Sequence, residues 1–183
     1  MIEMPSDFEP MSSEDLGNWL KEMAEQVATQ NHDRTSAIVS GVALEESLRD
    51  LVLTYFAKVP EAERTVNNVL GNFNSLINVS YCLGLVSRDE YSDLHAARQI
   101  RNYFAHSPKG STFADARPLE LCSQLRIPVQ RPELFDKLSC SEKFEATTFV
   151  LLENLGTRQW RAREHQCLIP EEIDPSEWDI FFH

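Results

Sequence analysis

Arg101 and His106 are the residues of this 183-residue chain whose types and spacing best suit chemistry. They bracket Asn102-Tyr103-Phe104-Ala105. An imidazole with an ordinary pKa of about 6.5 can both accept and donate a proton near neutrality. A guanidinium can grip a phosphate and stabilise the charge that builds up on it. Together they could cleave a phosphodiester without a metal. His106 would serve a ribose hydroxyl or leaving oxygen, Arg101 would hold the phosphate, and Asn102 would orient the ring or bind a phosphate oxygen. A plainer role fits the same residues. An arginine near a helix end caps carbonyls or pairs with an acid such as Glu45, and a histidine just past a helix bonds its last turn.

Five residues on a regular helix amount to a turn of about 140°. Arg101 and His106 therefore face one ligand only if the helix ends or unwinds near His106, and Pro108 lies just beyond. The helix that must carry them opens at Ser87-x-x-Glu90, a capping-box pattern. It brings Tyr91, Leu94, Ala97, Ile100, Arg101 and Phe104 along one side, with Pro108 and Gly110 as its stop.

The remaining pattern is also helical. Ser12 or Ser13 starts a first helix with an apolar face of Leu16, Trp19, Leu20, Met23 and Val27. A second, capped by Asp33, runs to about Lys58, where Pro60 closes it. Its stripe is Ala37, Gly41, Leu44, Leu48, Leu51 and Tyr55, with small residues at 37 and 41 that let another helix come close. Glu45 sits at the margin of that stripe, either facing solvent or aimed at a cation. A third helix buries Phe73, Leu76, Ile77, Tyr81 and Leu83 and ends at Gly84. Residues 107–114 read as a loop, 115–125 as a short helix, and 126–134, with Pro128 and Pro132, as irregular. Ser139-x-x-Glu142 opens a last long helix through Phe144, Phe149, Leu152 and Leu155 to about Arg163. The expected fold is thus an all-α, compact multi-helix bundle in one domain over 12–163. An irregular lead-in occupies 1–11, and an acidic tail over 164–183 is expected to dock on the body or on another copy.

Composition agrees with one globular helical domain: 42% hydrophobic, 25% charged and only six Gly. The net charge of -12 is concentrated at the ends. Residues 1–25 and 164–183 each carry -6, and the middle is neutral. Phosphate neutralisation by Lys and Arg supplies most non-specific affinity for DNA, so direct duplex binding is disfavoured. Cys82, Cys122, Cys140 and Cys167 form no C-x-x-C pair and read as small buried hydrophobes in a reducing, cytoplasmic setting. His165-x-Cys167 with His183 lacks a standard ligand spacing, so no metal and no cofactor is expected. No apolar run approaches the roughly 20 residues of a membrane span.

Several separated stretches resemble, in order, the mannitol operon repressor family of bacterial regulators. They are Asp33-Arg34…Ala37-Ile38-Val39 with Leu44-Glu45…Leu48, then Asn72-Phe73-Asn74-Ser75-Leu76-Ile77 and Tyr81-Cys82-Leu83-Gly84-Leu85. The strongest is Ile100 to Ser107, followed by Phe113 and Leu121-Cys122. The set covers roughly residues 30–160. It departs from the family at Leu70-Gly71-Asn72, where a Gly-Pro-Leu turn is usual, and in its long acidic tail. The resemblance implies a compact all-α fold and a transcriptional regulator that acts through a protein partner, since the family has no recognisable helix-turn-helix. It also marks Asp33, Arg34, Glu45, Asn102, Ser107 and Phe113 as binding or structural positions. The R-N-x-x-A-H core is shared with the broader higher eukaryote and prokaryote nucleotide-binding (HEPN) superfamily. That wider likeness implies the alternative of a toxin-like, metal-independent ribonuclease acting on RNA, with Arg101 and His106 catalytic and the site assembled across a homodimer.

Overall fold

A computed structural model describes residues 13–107 and 110–171, with side chains from residue 32 onward. The lead-in expected over 1–11, Pro108, residues 172–183 of the acidic tail with His183, and the apolar face expected between Leu16 and Val27 lie outside the described residues.

The fold is an all-helical bundle with no strand among the described residues. Its elements are α1 (Ser13–Tyr55), α2 (Pro60–Asn68), α3 (Phe73–Cys82), α4 (Arg88–His106), α5 (Ala116–Ser123), α6 (Ile127–Gln130), α7 (Pro132–Phe135) and α8 (Cys140–Ala162). α1 is the axis: α8, α4 and α3 all pack against it. The core draws Ala37, Leu44, Leu48, Leu51 and Val52 from α1, Phe73, Leu76 and Ile77 from α3, Leu94, Ala97, Ile100 and Phe104 from α4, and Phe144, Leu151 and Leu155 from α8. None of the described helices is long and apolar enough to cross a membrane.

The two helices expected over 12–58 are one. Asp33 looks like a cap, but it costs less than about 0.7 kcal/mol inside a helix, against about 3 for Pro. No Pro or Gly lies between residues 18 and 40 to break the run. Pro60 does not close this helix; it stands at the start of α2, where its missing N–H costs nothing. Pro128 and Pro132 similarly open two short helices, α6 and α7, in the stretch expected to be irregular. Both capping boxes form completely, at Ser87–Glu90 and Ser139–Glu142. Gly84 takes a φ of 71°, the left-handed conformation that ends α3.

Two burial expectations, for Tyr81 and for the cysteines, are corrected, and one large aromatic of α8 stays out of the core. Tyr81 is 40% exposed, and Ser80 takes the inward position beside it. Phe149 is 65% exposed, because Phe144, Thr148, Leu151 and Leu155 at spacings of four and three define the inner face of α8. Of the cysteines expected to be buried, only Cys122 is; Cys140 is half-buried, and Cys82 and Cys167 are exposed.

Buried polar groups tie the helix ends together. Asp93, with no exposure at all, accepts N–H bonds from Arg126 (2.6 Å) and Ile127 (2.9 Å) and so anchors the start of α6 on α4. Glu90 accepts from Ser87 N–H (2.7 Å), Asn154 Nδ2 (3.0 Å) and the Arg158 guanidinium. Burial pushes the Glu90 carboxyl up, but the bonds from Arg158 and Ser87 outweigh it and leave it below the ordinary value. A depressed carboxylate stabilises the fold fully above the unfolded value and loses that contribution as pH falls through the folded one. Stability is therefore expected to decline below about pH 4.5, with a shallower decline in Glu90→Gln, measured by thermal melts across pH 3–6. At neutral pH, Arg158→Met strands a buried carboxylate and costs on the order of 3 kcal/mol, a drop in Tm of roughly 6–12 °C.

Candidate functional site

α4 runs as regular helix through His106, with Ser107 as its C-cap in an extended conformation. Arg101 and His106 therefore point about 140° apart on one helix. The unwinding that would bring both onto one ligand does not occur among the described residues, so a single chain does not bring them together by local geometry.

Arg101 lies across Gly41 of α1. A Cβ built on Gly41 would stand 2.5 Å from Arg101 Cγ and 2.8 Å from its Cβ, closer than carbon atoms tolerate. Beyond that crossing, the guanidinium reaches Glu45, with Nη2 3.6 Å from Oε2, and Nη1 donates to Asn102 Oδ1 at 3.3 Å. Glu45 is 16% exposed and also faces Arg49 at 3.9 Å, and Arg49 donates onward to Asn67 Oδ1 at 3.3 Å. Glu45 at the margin of the α1 stripe is thus aimed at cations, two of them. Arg101 keeps 31% of its side chain exposed, so the pair is at the rim of the α1–α4 seam and not in its depth.

The other four positions form a second cluster, one that holds the chain after α4. Arg34 donates to the carbonyl oxygens of Ser107 (3.2 Å) and Ala105 (3.3 Å), which the helix end would otherwise leave without partners. Asp33, expected as a helix cap, instead accepts the backbone N–H of Phe113 at 3.0 Å. Phe113 is buried and packs between Phe104 and Phe144, with ring centroids 4.9 and 5.2 Å away. Tyr103 adds a third hold: its hydroxyl donates to Asp115 Oδ2 at 2.7 Å, and that oxygen also accepts from Thr112 N–H at 3.1 Å. These bonds draw the Asp115 carboxyl below its ordinary value.

His106 belongs to neither cluster. It is exposed, and no described group hydrogen-bonds its imidazole. Among the described residues no group of acids, histidines and cysteines could hold a metal.

Sequence reasoning missed the roles of Asp93, Glu90 with Arg158, and the Tyr103–Asp115 bond. Glu90 alone carried a signal, as the acid at the N3 position of a capping box. No family, curated protein or solved structure matches the chain.

Gly41→Ala should destabilise by about 1–2 kcal/mol, since the strain of overpacking exceeds the roughly 1 kcal/mol that Ala gains in a helix. Arg101→Ala should cost about 1–2 kcal/mol, between an exposed pair and a buried one. In the Arg101→Ala background, Gly41→Ala should cost less, because Cγ is gone. Additive losses in a denaturant double-mutant cycle would show that Arg101 does not seat on Gly41.

Proposed function

We propose that this chain is a transcriptional regulator of the mannitol-operon-repressor type that acts through a protein partner, in the cytoplasm, without its own sequence-reading contacts to DNA. The observation that carries this reading is the engagement of Arg101. Its aliphatic part fills the slot over Gly41 and its guanidinium answers Glu45. It thereby works as a strut between α1 and α4. The ordered motifs then make sense as framework: Asp33, Arg34, Ser107 and Phe113 hold the segment after α4, and Glu45, Arg101 and Asn102 hold α4 on α1. The net charge of -12 argues against unaided duplex binding.

The purified protein should leave a DNA fragment carrying the control region of a mannitol-uptake operon unshifted at ~0.15 M salt, while its loss in the host raises expression from that region. A sequence-specific shift by the protein alone would overturn the partner-dependent mechanism. Unchanged expression would overturn the regulatory role.

One observation favours a second reading, the metal-independent ribonuclease. The His106 ring is exposed with no hydrogen-bond partner among the described residues and Arg101 is partly open to solvent, so two copies of the chain could pair one residue from each. RNA incubated in EDTA with wild type and with His106→Ala decides it. Equal background cleavage is expected, and a loss of cleavage with His106→Ala would favour the nuclease instead.

A further inference from the structure

The end of the bundle where α1 and α8 both finish carries a cleft of about 290 Å³. Tyr55, Leu83, Leu85 and Ala162 give it apolar walls, and Arg158, Arg161 and His165 line it from α8 and the turn after it. Arg158 and Arg161, three residues apart near the end of α8, present two guanidiniums here in a chain whose net charge is -12, with the His165 imidazole on the turn beside them. Arg158 is already committed to Glu90 and to the Leu85 carbonyl at 3.3 Å. Arg161 and His165 are exposed, and no described side chain pairs with either.

The chain itself passes this cleft. Cys167 N–H donates to the carbonyl of Tyr55 at 2.8 Å, and Gln166 Nε2 donates to that of Phe56 at 2.8 Å. The following chain is thereby pinned beside a residue that walls the cleft. What comes next has the matching composition. Residues 172–183 hold Glu172, Asp174, Glu177 and Asp179 with no Lys or Arg, together with Trp178, Ile180, Phe181 and Phe182. Trp178 lies seven residue steps beyond Glu171, a reach of up to about 23–25 Å, ample to turn back to a cleft bordered by Tyr55 and His165.

We infer that this cleft is the docking site of the chain's own acidic, aromatic segment 172–183, with Trp178 against the apolar walls and the flanking carboxylates facing Arg161 and His165. The inference is independent of the regulatory reading. A cleft filled by an acidic segment is one that a competing acidic, aromatic peptide could take over, which gives the body an interaction surface controlled by its own chain.

The test follows the Trp178 indole N–H by NMR in the full chain, assigned with Trp178→Phe and compared with a synthetic 172–183 peptide. Docking places the resonance away from the free-peptide position, independent of protein concentration. Raising salt from ~0.05 to ~0.5 M and the exposed-site variant Arg161→Glu/His165→Glu should each move it back. Adding Glu177→Lys/Asp179→Lys to that variant should restore the shift. Should the α8 variant lose its melt, Glu177→Lys/Asp179→Lys alone, placed in the segment, must release the resonance instead. A wild-type resonance at the free-peptide position overturns the inference, as does a shift indifferent to both charge reversals. A shift that grows with concentration assigns the cleft to a second copy and overturns docking within one chain.

Discussion

The close approach of α4 to α1 at Gly41 is the constraint on which the rest of the molecule rests. A glycine there removes the Cβ that would collide with Arg101, so the two helices meet with the arginine stem between them. With the helices at that separation, Leu44 and Leu48 on one and Ile100 and Phe104 on the other become fully buried. Burying four such side chains contributes roughly 1.5–3 kcal/mol each, more than the exposed-rim ion pair can supply. The pair with Glu45 therefore sets alignment more than it sets stability: it selects the axial position at which α4 comes to rest along α1. From that position the end of α4 falls where Arg34 can take its last carbonyls and Asp33 can hold Phe113.

Two ends of α4 are thus secured by different means. At its start, the capping-box residue Glu90 serves the backbone of its own helix and also receives Asn154 and Arg158 from α8. Asp93, one turn on, binds the backbone of α6. At its finish, α1 supplies the partners. Each buried acid has its oxygens satisfied by N–H donors, the condition under which burial of charge is tolerated. α4 consequently has little freedom to tilt or unwind near Arg101. Catalysis within one chain would require that unwinding, to bring Arg101 and His106 onto a common ligand.

Much of the fold was legible because helices announce themselves locally. Both capping boxes, the Gly84 terminus, the α5 helix and the end of α8 follow from short-range patterns, and so do the buried stripes of α1 and α4. The misreadings share a cause. Asp33 suits a cap chemically, but what it binds in the fold is a backbone N–H 80 residues away. Tyr81 is large and apolar, yet the position beside it faces inward, and only the placement of neighbouring helices settles which side of a broadly apolar helix is covered. The candidate site divides the same way. Spacing alone placed Arg101 and His106 about 140° apart and left the outcome to whether the helix unwound.

By itself, then, the sequence determined the fold class, most of the helix ends, the small slot at Ala37 and Gly41, and the concentration of negative charge at both ends. These depend on periodicity, capping chemistry and composition, which act over a few residues or over the whole chain at once. The tertiary structure decided that Asp33 and Arg34 reach forward to hold the segment after α4, and that Arg101 turns to Glu45. Those outcomes depend on groups 56 to 80 residues apart in the chain, whose energies exist only once the helices have packed.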